Sequence, residues 1–183
     1  MIVESDPYLA VLDTCVLAPM PLCDTLLRLG EAPGLYVPKW SDDILRELRS
    51  TLLRMGYSKA QAERRISAME GAFEDANIRG YQQLIASMTN DSKDRHVLAA
   101  AVYGGAHAIV TANSRHFPLQ CLKPYGVDLW TPDDFLINQF HLNGELVRQK
   151  LAEQAEARGV TFQALLTRLA KWTPNFASIL EPR

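Results

Sequence analysis

The fold is decided by an apolar run that stops at an acid, Tyr8-Leu9-Ala10-Val11-Leu12-Asp13. A continuous apolar run of this length is typical of a central strand that is covered on both faces, as in parallel sheets. Two further buried strands are predicted at residues 106–111 and 127–130, and a short strand at residues 35–37 is expected to end before Pro38. Because segments with helical spacing separate them, the pattern predicts right-handed crossovers. We therefore expect a three-layer α/β sandwich, with a central parallel sheet flanked by helices.

Helix signals lie between these strands. Ser41 is a suitable N-cap for a helix that ends near Met55, and Ser58 for a helix that ends near Glu74. The polar block at residues 90–94 is expected to open an alanine-rich helix. The helix after Ser58 is predicted to turn a charged face to solvent, carrying Lys59, Glu63, Arg64 and Arg65.

The character of the chain changes near His141. Residues 144–158 form a charged amphipathic pattern, and residues 161–172 predict another helix. We therefore divide the chain into an α/β domain at residues 1–140 and a C-terminal helical extension at residues 141–183.

Composition limits the functional classes. The chain has 183 residues and a net charge of -2, which argues against a protein that coats nucleic acid through a broad excess of Lys and Arg. Its apolar runs stop far short of the roughly 20 residues that span a bilayer. Residues 1–7 carry acids where a signal peptide carries basic residues. We expect a cytoplasmic protein without a membrane segment, with three reduced cysteines, Cys15, Cys23 and Cys121.

Two acids stand where a parallel sheet and its helices can form a site. Asp13 follows the first strand, at the edge where ligands bind in such sheets, although Asp is also common in turns at strand ends. Glu47 falls on the margin of a helix whose buried stripe contains Ile44 and Leu48. It can point into a cleft, or it can be an ordinary boundary residue paired with a neighbouring arginine.

A third acid, Asp94, opens the alanine-rich helix. It lies one turn before Val97 and therefore extends the inward face of that helix, whereas we interpret Asp91 as the helix cap. An inward carboxylate needs a partner or a metal, because burying an isolated charge is costly. Asp13, Glu47 and Asp94 together would repel one another without a cation, and oxygen ligands select Mg²⁺ or Mn²⁺ rather than zinc. This set predicts metal-assisted hydrolysis at phosphorus.

Four ordered segments resemble PIN-domain ribonucleases. They are residues 12–17, with Asp13; residues 44–48, with Glu47; residues 91–101, which run Asp-Ser-Lys-Asp-Arg-His-Val-Leu-Ala-Ala-Ala; and residues 109–118. Their order, spacing and context match over about residues 8–140. The resemblance is closest to the toxins of VapBC-type toxin–antitoxin pairs, and among them to forms with an extra C-terminal helical segment.

The resemblance implies a metal-dependent endoribonuclease that hydrolyses RNA phosphodiester bonds with a metal-activated water. By this resemblance Asp13, Glu47 and Asp94 are the catalytic acids that hold Mg²⁺, with Mn²⁺ as the other candidate. The fourth acidic position of many PIN domains is Asn113 here, which keeps an oxygen ligand and removes one negative charge. The supporting residues are expected to be Thr14, Asp91, Thr111 and Asn113.

The resemblance also implies an RNA substrate and a protein partner. The expected substrate is single-stranded or looped RNA, such as tRNA or ribosomal RNA. A cognate antitoxin is expected to lie along a groove between the helical regions 24–29 and 59–74, and the toxin to form a homodimer. RNA must approach an acidic cluster, so nearby cations are required. The candidate RNA-binding residues are Lys93, Arg95, His96, Arg115 and His116.

Two alternatives stay open at this point. Asn113 motivates a noncatalytic PIN-like module that binds RNA or protein after weakening of its metal site. Asp13 can also be an aspartyl nucleophile, as in haloacid-dehalogenase-like phosphohydrolases, but Cys15 stands where such enzymes carry a second acid.

Overall fold

The computed structural model describes residues 7–181 of the chain. Glu4 and Asp6, on which the prediction of no signal peptide rests, lie outside this range. No helix within it is both long and apolar enough to cross a membrane. Its strands are β1 (Leu9–Leu12), β2 (Val37–Ser41), β3 (Asn77–Ile78), β4 (Ala108–Val110) and β5 (Asp128–Trp130).

The strands form one parallel sheet in the order β3-β2-β1-β4-β5. Helices flank this sheet, so the predicted three-layer α/β class is confirmed. Short 3₁₀ segments occur at Gln82–Ser87, Ser114–His116 and Lys123–Tyr125. The helices are α1 (Thr14–Leu17), α2 (Met20–Gly30), α3 (Asp42–Arg54), α4 (Lys59–Ala72), α5 (Arg95–Tyr103), α6 (Leu119–Leu122), α7 (Pro132–Leu142), α8 (Gly144–Ala157), α9 (Phe162–Leu169) and α10 (Pro174–Leu180).

Strand β1 is the centre of the sheet, as its apolar run predicts. It pairs with β2 on one side and β4 on the other, and Ala10, Val11 and Leu12 are fully buried. A strand enclosed by neighbours and covered by helices has no solvent-facing side, so it needs no alternating polar residue.

Strand β2 differs from the prediction because it continues through Pro38. Successive backbone N–H groups of a strand point to opposite neighbours. The amide of Val37 bonds to Tyr8 in the β1 direction, whereas the amide of Trp40 bonds to Ala76 in the β3 direction. Pro38 therefore presents its missing N–H toward β3, whose pairing begins only at Trp40. The proline costs the sheet no hydrogen bond.

The two predicted serine caps are confirmed. The hydroxyl of Ser41 accepts a hydrogen bond from the amide of Ile44 at the start of α3. Ser58 and Gln61 form a reciprocal capping box at the start of α4. These caps fix where both helices begin.

The C-terminal helices pack on the α/β core. The side chain of Gln154 in α8 accepts a hydrogen bond from Thr25 and donates one to the carbonyl of Pro21, both in α2. Leu166 and Phe176 belong to the same buried cluster as strand β1. The predicted division between residues 140 and 141 falls inside α7 and stays a prediction.

Candidate active site

Asp13 lies where β1 ends and α1 begins. Its Oδ1 accepts a hydrogen bond from the amide of Thr14 at 2.7 Å, and its Oδ2 accepts one from the hydroxyl of Thr111 at 2.7 Å. The parallel register that aligns Leu12 with Val110 brings the next residues of both strands together. Asp13 is therefore a buried carboxylate held in one orientation by the first amide of α1 and by the hydroxyl of the residue that follows β4.

Burial raises the pKa of the Asp13 carboxyl group. Loss of solvation is the largest effect and raises its pKa, while the hydrogen bonds from Thr111 and Cys15 act in the opposite direction. The negative charge of Asp94 raises the pKa further. A cation near these carboxylates would relieve both the desolvation and the repulsion.

Glu47 projects from α3 beside Asp13. Its Oε2 lies 3.2 Å from the hydroxyl of Thr14 and 3.5 Å from Nε2 of His96. The neighbouring arginines, the alternative partners that the sequence suggests for Glu47, bind other acids: Arg46 pairs with Asp43, and Arg49 with Glu63. Glu47 is thus left to face the cleft, half-buried and held by Thr14 and His96.

His96 lies behind Glu47 and is buried. Burial is the largest influence on its pKa and acts to lower it, but the Glu47 carboxylate 3.5 Å away, together with the charges of Asp43 and Asp13, outweighs burial and raises the pKa. His96 is consequently a neighbour of the acidic set, placed to hold Glu47.

Asp94 occupies the N-cap position of α5, where its side chain makes no capping bond. Its Oδ2 lies 2.5 Å from Nδ1 of His116. The interpretation of Asp91 as the helix cap is wrong, because residues 91–94 form a turn and α5 begins only at Arg95. Asp91 instead accepts a bond from the amide of Lys93 within that turn. Asp91, Asp94 and His116 offer three ligand atoms that lie within 4.8 Å of one another.

These side chains meet at a cleft of about 510 Å³ at the carboxyl end of the sheet. Asp13, Glu47 and Asp94, which come from three separate elements, all line it. Asn113 also lines it, and its backbone amide donates to the hydroxyl of Thr111. One hydroxyl therefore connects the buried aspartate to the loop that carries Asn113.

Comparison with known proteins identifies the family of this chain. The PIN domain family matches residues 10–115, which is more than half of the chain. The chain belongs to the PIN-domain family. The matched residues include Asp13, Glu47, Asp94 and Asn113, and they end before the C-terminal helices α7 to α10.

One curated relative of this PIN domain comes from Mycobacterium tuberculosis (strain ATCC 25618 / H37Rv) and bears the name "Putative ribonuclease VapC50". The two are 44% identical over an alignment of 102 residues that covers 54% of this chain and 60% of the relative. The chain thus matches less than two thirds of the relative's length. No solved structure matches the chain.

Acidic side chains in the cleft of this PIN domain are candidate ligands for a divalent metal ion. Asp13, Glu47, Asp94 and Asn113 line the cleft, and carboxylate and amide oxygens are the ligand type that hard cations prefer. Burial and then the charge of Asp94 raise the pKa of Asp13, and a nearby positive charge would oppose both effects. Among residues 7–181, the ligand atoms that lie within 4.8 Å of one another belong to Asp91, Asp94 and His116, so only Asp94 of the three predicted ligands is in that group. Asp13 and Glu47 line the same cleft, and their part in holding a metal stays a prediction.

The five predicted RNA-binding residues of the PIN domain occupy different places. Lys93 and His116 line the cleft. His96 is buried behind Glu47, and Arg95 donates its Nε to the carbonyl of Asn90. Arg115 is exposed but does not line the cleft.

Sequence reasoning missed one wall of the cleft. This wall is a face of α3 next to Glu47. Its polar residues repeat every four positions along the helix, and this repeat is the sequence signal that would have predicted the wall. It consists of Arg46, Ser50, Thr51 and Arg54.

Proposed function

We propose that this PIN domain is a metal-dependent endoribonuclease and the toxin of a toxin–antitoxin pair. The observation that carries the proposal is the convergence of Asp13, Glu47 and Asp94, from the end of β1, from α3 and from the start of α5, on one cleft. The name of the relative from Mycobacterium tuberculosis supports the same activity. The retained acids favour catalysis over a noncatalytic binding module.

In this proposal Asp13, Glu47 and Asp94 hold Mg²⁺ or Mn²⁺, and Asn113 offers a neutral oxygen. A divalent cation bound there would supply the Lewis-acid chemistry of phosphodiester hydrolysis, by activating water and offsetting phosphate charge. Asp91 lies near Asp94 and is the candidate for the missing fourth carboxylate.

The remaining polar side chains hold the three acids in position. Thr111 and the amide of Thr14 orient Asp13, His96 and the hydroxyl of Thr14 hold Glu47, and His116 contacts Asp94. Such contacts reduce the motion of ligand side chains and so favour metal binding. We therefore assign to Thr14, Thr111 and His96 the role of positioning residues.

The substrate in this proposal is single-stranded or looped RNA, such as tRNA or ribosomal RNA. Lys93 and His116 are the predicted contacts that line the cleft, and we retain them as RNA-binding residues. Arg95 and Arg115 do not line it.

An antitoxin segment would occupy the groove between α2 and α4, which has a volume of about 460 Å³. Leu27, Met69 and Phe73 line this groove with apolar surface, and Arg64 adds a charge at its edge. An amphipathic segment can place apolar side chains in such a groove. A homodimer and a cytoplasmic location stay predictions.

The test is cleavage of total cellular RNA by the purified protein in Mg²⁺, in Mn²⁺ and in EDTA. We expect discrete fragments in the presence of metal, and their loss in EDTA and in Asp94→Asn. Asp128→Asn makes the same chemical change at an exposed position outside the cleft and should retain cleavage. Absence of cleavage by folded wild-type protein in both metals would contradict the proposal and favour the noncatalytic binding module.

A further inference from the structure

The exposed face of α3 carries a row of side chains along the acidic cleft. Arg46, Ser50 and Arg54 are spaced four residues apart, which places them on one face of the helix, one turn above the other. All three are exposed and line the cleft that contains Glu47. We call these three residues the α3 row.

The two arginines of the α3 row are available to an anion. The guanidinium of Arg54 donates to the neutral hydroxyl of Thr51 at 2.9 Å, and no carboxylate within residues 7–181 pairs with it. Arg46 pairs with Asp43, but its side chain is 69% exposed. Asp43 also accepts a hydrogen bond from Tyr81, and the exposed guanidinium of Arg46 can contact a phosphate beside this ion pair.

Arg49 lies on the same helix but differs from Arg46 and Arg54 in its ion pair and in its position relative to the cleft. Its Nε and Nη2 bind the two carboxylate oxygens of Glu63 at 2.7 Å and 3.1 Å, so its charge already has a bidentate partner. It does not line the cleft. Position on the helix therefore separates the two arginines that line the cleft, Arg46 and Arg54, from Arg49, which is held in a contact between α3 and α4.

The charges around the cleft are arranged so that an anion can enter. The carboxylates of Asp13 and Asp94 line the cleft together with Lys93 and the α3 row. A polyanion approaching carboxylates is repelled unless cations flank its path. The separation of Arg46 and Arg54 by eight residues corresponds to about 12 Å along the helix axis, enough to contact more than one backbone phosphate.

We propose that the α3 row binds the phosphate backbone of single-stranded RNA where the strand enters the acidic cleft. This inference rests on the proposed nuclease function and adds the surface that holds the substrate. Arg46 and Arg54 bind phosphates without reading bases, so they contribute affinity equally to RNAs of different sequence. Ser50 lies between them, and its small side chain leaves the strand room to lie against the helix.

The experiment measures binding of end-labelled single-stranded oligoribonucleotides by fluorescence anisotropy in Mg²⁺, over a range of salt concentrations. Two oligonucleotides of different base composition are compared. Asp94→Asn is the parent protein, so that the RNA stays intact. Arg46→Gln and Arg54→Gln are added singly and together, and Arg49→Gln is the matched control because it removes the same charge from the same helix.

We expect each row variant to weaken binding about threefold for both oligonucleotides, and to reduce the slope of log affinity against log salt by about 0.7. Arg49→Gln should bind like the parent. Unchanged binding by both row variants, an equal loss in Arg49→Gln, or no binding by the parent at low salt would each overturn the proposal.

The two proposals fail in different ways. Wild-type protein that binds RNA through the α3 row and cleaves none in either metal would contradict the nuclease and leave the row intact as a binding surface. Wild-type protein that cleaves RNA while the row variants bind normally would overturn the row alone.

Discussion

The hydroxyl of Thr111 donates a hydrogen bond to Asp13 between the adjacent strands β1 and β4, with Oγ1 2.7 Å from Oδ2. Both residues are buried, and the same hydroxyl accepts a hydrogen bond from the amide of Asn113 at 3.0 Å. A single side chain thus orients the most buried acid of the cleft and the loop beside it. Losing it would leave a buried carboxylate with one donor fewer.

Thr111→Val tests this connection at nearly constant volume. We expect the free energy of unfolding to fall by about 1–3 kcal/mol, because the buried carboxylate of Asp13 loses one of its donors and the partly buried amide of Asn113 loses its acceptor. We also expect RNA cleavage to slow by roughly tenfold as Asp13 loses its orientation. Thr111→Ser retains the hydroxyl and should retain most of the activity. Urea denaturation and initial cleavage rates measure the two effects, and a Val variant as stable and active as the Ser variant would refute the expected role.

The position of α3 depends on a second hydrogen bond, from the hydroxyl of the buried Tyr81 to Oδ2 of Asp43, at 2.6 Å. Partial burial acts to raise the pKa of Asp43, but the hydrogen bonds from Tyr81 and Arg46 outweigh it and lower the pKa. Tyr81→Phe should lower the free energy of unfolding by about 1–2 kcal/mol at neutral pH. Tyr125→Phe is the control: it removes the hydroxyl of an exposed tyrosine and should change the free energy of unfolding little.

The stability lost in Tyr81→Phe should depend on pH. Because folding lowers the pKa of Asp43, the ionised carboxylate stabilises the folded state fully above pH of about 4, the ordinary value for the unfolded chain. This stabilisation is lost as the pH falls through the lower pKa of the folded state. Urea denaturation of wild type and Tyr81→Phe from pH 7 downward should therefore show a gap that narrows in acid. A gap that widens in acid would contradict the assigned hydrogen bond.

The sequence predicts most of the parts that depend on local signals. The end of β1 and the caps Ser41 and Ser58 follow from residue type and spacing. The end of β1 places Asp13, and the start of α3 at Ser41 places Glu47. Features that depend on distant partners were not predictable. The contact of Asp94 with His116 joins residues 22 positions apart, and its geometry appears only after folding.

The position of Arg65 was also not predictable from the sequence, because it depends on a distant partner. Its place among charged residues of α4 predicts exposure, yet it is buried, and its guanidinium donates to the backbone carbonyls of Leu17 and Ala18 at the end of α1. A helix of four residues leaves its last carbonyls without internal partners, and the arginine supplies them. Nothing in the sequence near Arg65 indicates that α1 ends beside it.

Arg65→Met should consequently destabilise the protein by about 2 kcal/mol, because the carbonyls at the end of α1 lose their donors in a buried place. Arg64→Met changes the neighbouring exposed arginine and should have an effect within about 0.5 kcal/mol. Urea denaturation measures both. Equal stability of the two variants would show that the exposed position predicted from the sequence is the correct one.

Asn113→Asp adds a carboxylate where many PIN domains carry one, and its effect should change sign with metal. In EDTA the added charge repels Asp13 and Asp94 in a partly buried cleft, so the melting temperature should fall. In Mn²⁺ the same charge should tighten metal binding by roughly tenfold, and the melting temperature should rise because the metal binds the folded state. Asn113→Ala loses the oxygen and should bind metal more weakly than wild type. Calorimetric titration with Mn²⁺ gives the affinities, and a fall in melting temperature that metal does not reverse in Asn113→Asp would place Asn113 outside the metal site.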